Sequence, residues 1–266
     1  MDQADLDRRI QAYYGGVFDE DARLSTRSAQ GPLELERVQS LVAATISSRA
    51  RVLDIGGGAG VHAVALRDAG HDVSLIDPVP QHVSAAETAG IHASVADARD
   101  VPFPDNSFEA TLMLGPLYHL ADAADRRLAL QEALRVTSPG GVVFAGAISR
   151  YIAFGQIFLT RDPEASDPGE WVALLRHGRP SPRMRFPAGH FHTAESLERE
   201  VADAGFVDIT VHGVEGPAGM LLEELPVGAD PRTRDAAAHL AGVASAMPGI
   251  RDFSGHLIAV AHVKRI

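Results

Sequence analysis

Three aspartates stand where the chain turns out of short apolar runs. Asp54 lies in "VLDIGGGAG" (52–60), Asp77 in "SLIDPVP" (74–80) and Asp97 in "VADARD" (95–100). The first is followed by Gly56, Gly57, Gly58 and Gly60, a turn whose backbone can come close to a ligand because no Cβ stands in the way. Carboxylates beside such a turn attract an ammonium group, accept hydrogen bonds from hydroxyls, and repel phosphate. Further along, His119 in "GPLYHL" (115–120) and the pair His190 and His192 offer imidazoles, the side chains whose ordinary pKa suits proton transfer near neutrality. Cysteine is absent, which removes a thiolate nucleophile and any Cys-based metal site.

Hydrophobic periodicity supplies the frame for these groups. Helices are expected within 4–16 and 32–49, followed by a strand at 51–55, a helix at 61–70 closed by Gly70, and a strand at 71–77. A helix at 80–90, strands at 91–97 and 107–115, a helix at 124–141 and a strand at 142–148 continue the alternation. Residues 149–192, rich in Pro, Gly, Arg and aromatics, are too long for a plain connection and read as an insertion capping the site. The pattern resumes with a helix at 193–205, Thr193 its N-cap and Gly205 its C-cap, a strand at 206–214, a helix at 231–245 and a final strand at 256–263. Such alternation implies an α/β domain, a parallel sheet wound with helices, whose last two strands pair antiparallel at an edge.

The 266 residues allow one large α/β domain, and 45% apolar residues suffice for its core. The expected organisation is a single domain over 1–266, with lid helices in about 1–49 and the cap in about 149–192. No apolar run reaches membrane-spanning length and the polar start does not read as a targeting segment, so a cytoplasmic location and no membrane partner are expected. The formal net charge of −11 lowers the prospect of nucleic acid as a partner and makes a small molecule the default ligand.

Ligands of open parallel sheets bind beyond the carboxyl ends of the strands. Two readings of the glycine turn compete there. Gly58, Gly60 and Ala63 satisfy the dinucleotide pattern G-x-G-x-x-G/A, with Asp77 near the position of a ribose-binding acid. The other reading is S-adenosylmethionine (SAM), with Gly56, Gly58 and Gly60 forming the turn. A pyrophosphate would be repelled by Asp54, whereas the ammonium of SAM would be attracted, directly or through water. Asp77 can accept both ribose hydroxyls, and Asp97, beside Ala98, can accept the adenine amino proton. A third strand-end acid is not part of the dinucleotide fingerprint. After the fourth strand, a Gly-Pro break lets the Leu114 and Gly115 backbone approach the ligand.

Five segments, "VLDIGGGAG", "SLIDPVP", "VADARDVPFPDNSFE", "LMLGPLYHL" and "EALRVTSPGG", resemble in order and spacing the successive motifs of class I SAM-dependent methyltransferases, over roughly 50–148. The resemblance implies a Rossmann-like seven-stranded, mostly parallel sheet with helices on both faces and a reversed last hairpin. It implies SAM contacts from Gly56, Gly58, Asp77 with the adjacent Pro78, Asp97 with Ala98, and the Leu114–Gly115 backbone, and S-adenosylhomocysteine as product. The "DPPY/NPPY"-type sequence of adenine-amino methyltransferases is missing; this chain has "LGPL" there.

The regions outside that span should build the acceptor pocket. Tyr13, Tyr14 and Phe18 fall within one and a half helical turns, and Tyr14 is the expected contact with SAM in a lid. "RHGRPSPRMRFPAGHFH" (176–192) holds four arginines, three histidines and no acid. Arg183 and Arg185, with Tyr118 and His190, are the expected substrate contacts, the arginines suited to an acidic group on the acceptor. No acid at ligand spacing completes a metal site with the His190/His192 pair, so no metal is expected. His119 is the expected base, with His192 in reserve. The expectation is methyl transfer to O or N of a small metabolite of specialised metabolism, by a monomer or homodimer. The rivals are a SAM-binding protein of this fold that transfers no methyl and an NAD(P)-dependent oxidoreductase.

Overall fold

The computed structural model describes residues 2–16, 20–47, 49–152, 168–181, 184 and 186–265. Seven strands form one sheet: β1 (Arg51–Ile55), β2 (Asp72–Asp77), β3 (His92–Val95), β4 (Phe108–Met113), β5 (Thr137–Ile148), β6 (Val207–Gly213) and β7 (His256–His262), in the order β3-β2-β1-β4-β5-β7-β6. The pairings from β3 to β5 are parallel, and β7 pairs antiparallel with both β5 and β6. Because β1 lies between β2 and β4, the chain leaves it toward both halves of the sheet. That switch point opens a crevice beyond the carboxyl ends of β1 and β4.

Helices cover both faces. On one, α3 (Gln30–Thr45), α4 (Val61–Asp68) and α5 (Pro80–Thr88) bury Val38, Val42, Leu66 and Ala86 against Val52, Leu75, Leu112 and Phe144. On the other, α7 (Ala123–Val136) and α9 (Ala194–Asp203) bury Leu130, Ala133, Leu197 and Val201 against Leu53, Met113 and Val143. The central strands are therefore apolar on both sides, as parallel strands between two helical layers must be. Each fully buried Leu or Val contributes roughly 1.5–3 kcal/mol. α1 (Gln3–Tyr14) starts at an Asp2 cap that accepts from the Asp5 N–H, and α2 (Glu20–Ser25) precedes α3.

Three expectations are corrected. The helix expected over 124–141 stops at Val136, and β5 already begins at Thr137. The Thr137 hydroxyl pairs with that of Thr111 at 2.7 Å across the sheet, and Gly140 has φ +77°, so Pro139 and Gly140 sit in an irregular start of β5 rather than in a helix. β3 ends at Val95, so Asp97 lies beyond it, in an isolated bridge with Asp100. The short α6 (Pro116–His119) and α10 (Gly219–Glu223) were not expected at all. Within 149–192, α8 (Pro168–His177) contributes Leu174 to a small separate core with Ile148, Ala188 and Phe191. The two ends of this insertion meet: the His192 N–H donates to Ile148 O and the Arg150 N–H to His192 O.

Candidate functional site

A cavity of about 240 Å³ lies over the crevice beyond β1 and β4. It is lined by all ten residues to which a cofactor role was assigned: Tyr14, Asp54, Gly56, Gly58, Asp77, Pro78, Asp97, Ala98, Leu114 and Gly115. Tyr118 and His119 line it too.

The glycine turn is shaped by close packing. Gly56 has φ +68°, and a Cβ there would lie 2.9 Å from the Pro116 ring. Gly58, at φ +59°, turns its N–H onto Asp77 Oδ2 at 2.9 Å. A Cβ on Gly57 would lie 2.6 Å from the Asp54 carboxylate, so the glycine between them gives that acid its room.

Asp54 is 2% exposed, and its Oδ2 is buried with no hydrogen-bond partner. Burial, and secondarily the charge of Asp77, push its carboxyl up to about 7. An unpaired buried carboxylate is costly, and a cation entering the cavity would relieve that cost. Asp77 is held differently: its Oδ1 accepts from the Val79 N–H at 2.9 Å and lies 3.1 Å from His82 Nδ1. Asp97 is gripped by Arg99, whose Nε and Nη2 donate at 2.9 and 2.6 Å. Arg99 also reaches Asp7 of α1 and Asp125 of α7, each at 3.1 Å, and so ties the N-terminal helix to Asp97. Sequence reasoning missed both Arg99 and His82.

His119 ends α6, with Nδ1 2.8 Å from Pro187 O and Nε2 3.1 Å from the Tyr14 hydroxyl. Burial, partly offset by the Pro187 carbonyl, pulls its pKa down to about 4, so the ring is neutral at pH 7. The Gln3 side chain of α1 donates to His119 O and accepts from the Ala121 N–H, which fixes α1 over this segment.

Other assignments do not meet here. His192 is fully buried, its Nε2 3.1 Å from Glu200, in a network where Arg126 also grips Glu200. It closes the neck of the insertion and does not line the cavity, which removes it as a reserve base. His190 packs edge-on against His192 at 4.5 Å and also lies outside the lining. Arg176 and Arg179 are exposed, and Arg183 and Arg185 fall outside the described residues. The expectation that no acid completes a cluster with the His190/His192 pair is also corrected, because Glu200 does so. A second group among the described residues, Glu34, Glu215 and His256, has similar spacing. In each, a guanidinium pairs with a carboxylate, Arg126 with Glu200 and Arg23 with Glu34.

An α/β sheet with one reversed strand, a glycine turn beyond its first strand and acids at the ends of the next two is the arrangement of a Rossmann-like methyltransferase fold. Residues 53–145 match the family described as a methyltransferase domain. The chain is 28% identical over 179 residues to the demethylmenaquinone methyltransferase of Paenarthrobacter aurescens, covering 62% of this chain and 66% of that protein. It is 29% identical over 157 residues to a ubiquinone biosynthesis O-methyltransferase of Bordetella avium, covering 56% of this chain and 63% of that one. The match thus spans about two thirds of those relatives or slightly less. Among solved structures, a SAM-dependent methyltransferase from Thermotoga maritima, described as a possible histamine N-methyltransferase, shares the fold with TM-score 0.61 at 20% identity, over 97% of this chain and 98% of that one. Residues 53–145 thus match a methyltransferase domain, and the chain is similar in sequence and in fold to SAM-dependent methyltransferases.

Proposed function

We propose that this protein transfers a methyl group from SAM to an oxygen or nitrogen of a small-molecule acceptor. The observation that carries the reading is Asp54, a buried carboxylate at the glycine turn with one oxygen unpaired, which a cationic group of the ligand would stabilise. A dinucleotide would bring a pyrophosphate to that same turn, where Asp54 would oppose it. The names of the two relatives, from menaquinone and ubiquinone pathways, support a small-molecule acceptor.

In this reading Asp54 takes the ammonium of SAM and Asp77 its ribose hydroxyls. Asp97 and Ala98 flank the adenine, and the Gly56, Gly58, Leu114 and Gly115 backbones lie along the ligand. Bound SAM supplies a methyl carbon already activated by its sulfonium. What the protein must add is alignment of the acceptor atom and exclusion of water. α1 supplies the cover, pinned through Gln3, Asp7 and Tyr14. His119 holds a lone pair at Nε2, because Nδ1 must carry the hydrogen donated to the Pro187 carbonyl. That lone pair can take the proton released by an acceptor hydroxyl, directly or through Tyr14. A charged acceptor group was expected from Arg183 and Arg185, and the described part of the arginine-rich loop gives that expectation no support.

Incubation with methyl-labelled SAM and a panel of hydroxy- and amino-aromatic acceptors tests the proposal. Label should appear in at least one acceptor, and the His119→Ala variant should slow its appearance. Binding of S-adenosylhomocysteine without transfer to any acceptor would favour the non-transferring alternative.

A further inference from the structure

The residues assigned to the cofactor come from α1, β1, β2, the β3 end and β4. The cavity is lined also from α2, α3 and the start of β7, and the cofactor reading leaves that part of the lining unexplained. Its walls are apolar: Leu24, Val38, Val214, Leu257 and Ile258. Its polar side is an alternating row of charges. Arg23 of α2 donates to both oxygens of Glu34, at 2.6 and 2.8 Å. Glu34 Oε2 lies 3.6 Å from His256 Nδ1, and the same nitrogen bonds to Glu215. Glu215 further accepts from the Ser254 hydroxyl at 2.6 Å and the His256 N–H at 3.0 Å. Burial opposes charge on His256, but Glu34 and Glu215 outweigh it and hold its pKa up to about 9. Burial likewise works against Glu34, yet Arg23 and His256 hold it down to about 2. Two cations therefore face two anions, and each charge has its counter-charge within the protein.

Among the described residues, a further anionic group entering this lobe would find no spare partner, and a buried charge without one is strongly disfavoured. Apolar surface and single hydrogen bonds are what the lobe still offers. His62 adds a neutral imidazole at its edge, with Nδ1 3.2 Å from the Gln39 amide nitrogen; burial lowers its pKa to about 4. We infer that this lobe is the acceptor subsite and that it selects a neutral, largely apolar hydroxy compound over an acidic one. The inference rests on the SAM reading, since it assigns to the acceptor only what the cofactor leaves open.

The test uses protein saturated with S-adenosylhomocysteine, titrated calorimetrically with 2-naphthol and with 2-naphthoate. Naphthol should bind at least about tenfold more tightly than naphthoate, the size of effect expected when one uncompensated charge must be desolvated. Val38→Leu, which keeps the core position apolar and adds a single methylene at the lobe wall, should weaken naphthol binding and leave S-adenosylhomocysteine affinity within about threefold. Glu34→Gln, which strips Arg23 of its counter-charge, should raise naphthoate affinity by about fivefold or more. Equal or tighter binding of naphthoate by the unaltered protein, or no naphthol binding at all, would overturn the inference. A large loss of S-adenosylhomocysteine affinity in Val38→Leu, with an unchanged unfolding temperature, would assign the lobe to the cofactor instead. Failure of the unaltered protein to bind S-adenosylhomocysteine would sink the SAM reading itself, a separate outcome.

Discussion

The hydroxyl of Tyr14 lies 3.1 Å from Nε2 of His119, and the other ring nitrogen lies 2.8 Å from the Pro187 carbonyl oxygen. A carbonyl can only accept, so Nδ1 carries the hydrogen and Nε2 is the acceptor for Tyr14. The α1 helix and the loop at 187 thus fix one tautomer of one imidazole, and its lone pair points at a phenol that lines the cavity.

His119→Ala should lower turnover on a hydroxyl acceptor by about 100-fold or more, the usual contribution of a positioned base. S-adenosylhomocysteine affinity should stay within a few fold by calorimetry. Tyr14→Phe keeps the ring packing and removes only the hydroxyl; a smaller fall is expected. Because burial lowers the His119 pKa to about 4, the acid limb of the rate profile should fall near pH 4 rather than near the ordinary histidine value. Equal losses of affinity and turnover in His119→Ala would make this residue part of the cofactor packing.

Asp54 gives a pH prediction of definite sign. Its carboxyl is raised to about 7 in the ligand-free protein, above its unfolded value, so protonation favours the folded state. That stability is present at pH below 3.8 and is lost as pH rises through about 7. Ligand binding should run the other way, since an ammonium needs the carboxylate: affinity should strengthen by up to about tenfold per pH unit below 7. Asp54→Asn should flatten both dependences and weaken binding, as thermal unfolding and calorimetry across pH 5–8 would show.

Asp77→Ala removes the acceptor for the Gly58 and Val79 N–H groups as well as the proposed ribose clamp. Leaving the buried Val79 donor unpaired costs about 1–3 kcal/mol, and the part-buried Gly58 donor less. Weaker SAM binding and a lower unfolding temperature should therefore appear together. Unchanged affinity would refute the cofactor pose.

How much of this was legible in the sequence depended on distance along the chain. The glycine turn and the acids at 54 and 77 sit within a few residues of their strands, so local pattern located them. The end of α7 was missed because its stop is set by a tertiary contact: Thr137 pairs with Thr111, 26 residues away. Asp97 was found, but Arg99 was not seen as its partner, and the link from Arg99 to Asp7 spans 92 residues. The Arg23–Glu34–His256–Glu215 row joins α2, α3, a loop and the start of β7, and no spacing rule announces it. His190 and His192 look chemical in sequence because H-x-H is a ligand-like pattern. Folding spends His192 on the neck of the insertion, against Glu200.

That charge row carries its own stability prediction. His256 has a folded pKa of about 9, above its unfolded value of 6.5, so its contribution is fully present below pH 6.5 and is lost as pH rises through about 9. His256→Gln should unfold at a lower temperature than the unaltered protein at pH 6, and the gap should close by pH 10. A gap independent of pH would mean that the imidazole is not charged between its two glutamates.

The most direct measurement is a calorimetric titration of the ligand-free protein with S-adenosylhomocysteine and, separately, with NADH and NADPH. Binding of S-adenosylhomocysteine alone, lost in Asp77→Ala, is the result predicted by the arrangement of Asp54, Asp77 and the glycine turn. Binding of a nicotinamide dinucleotide in its place would contradict the account, and would mean that the buried charge of Asp54 does not decide what the turn holds.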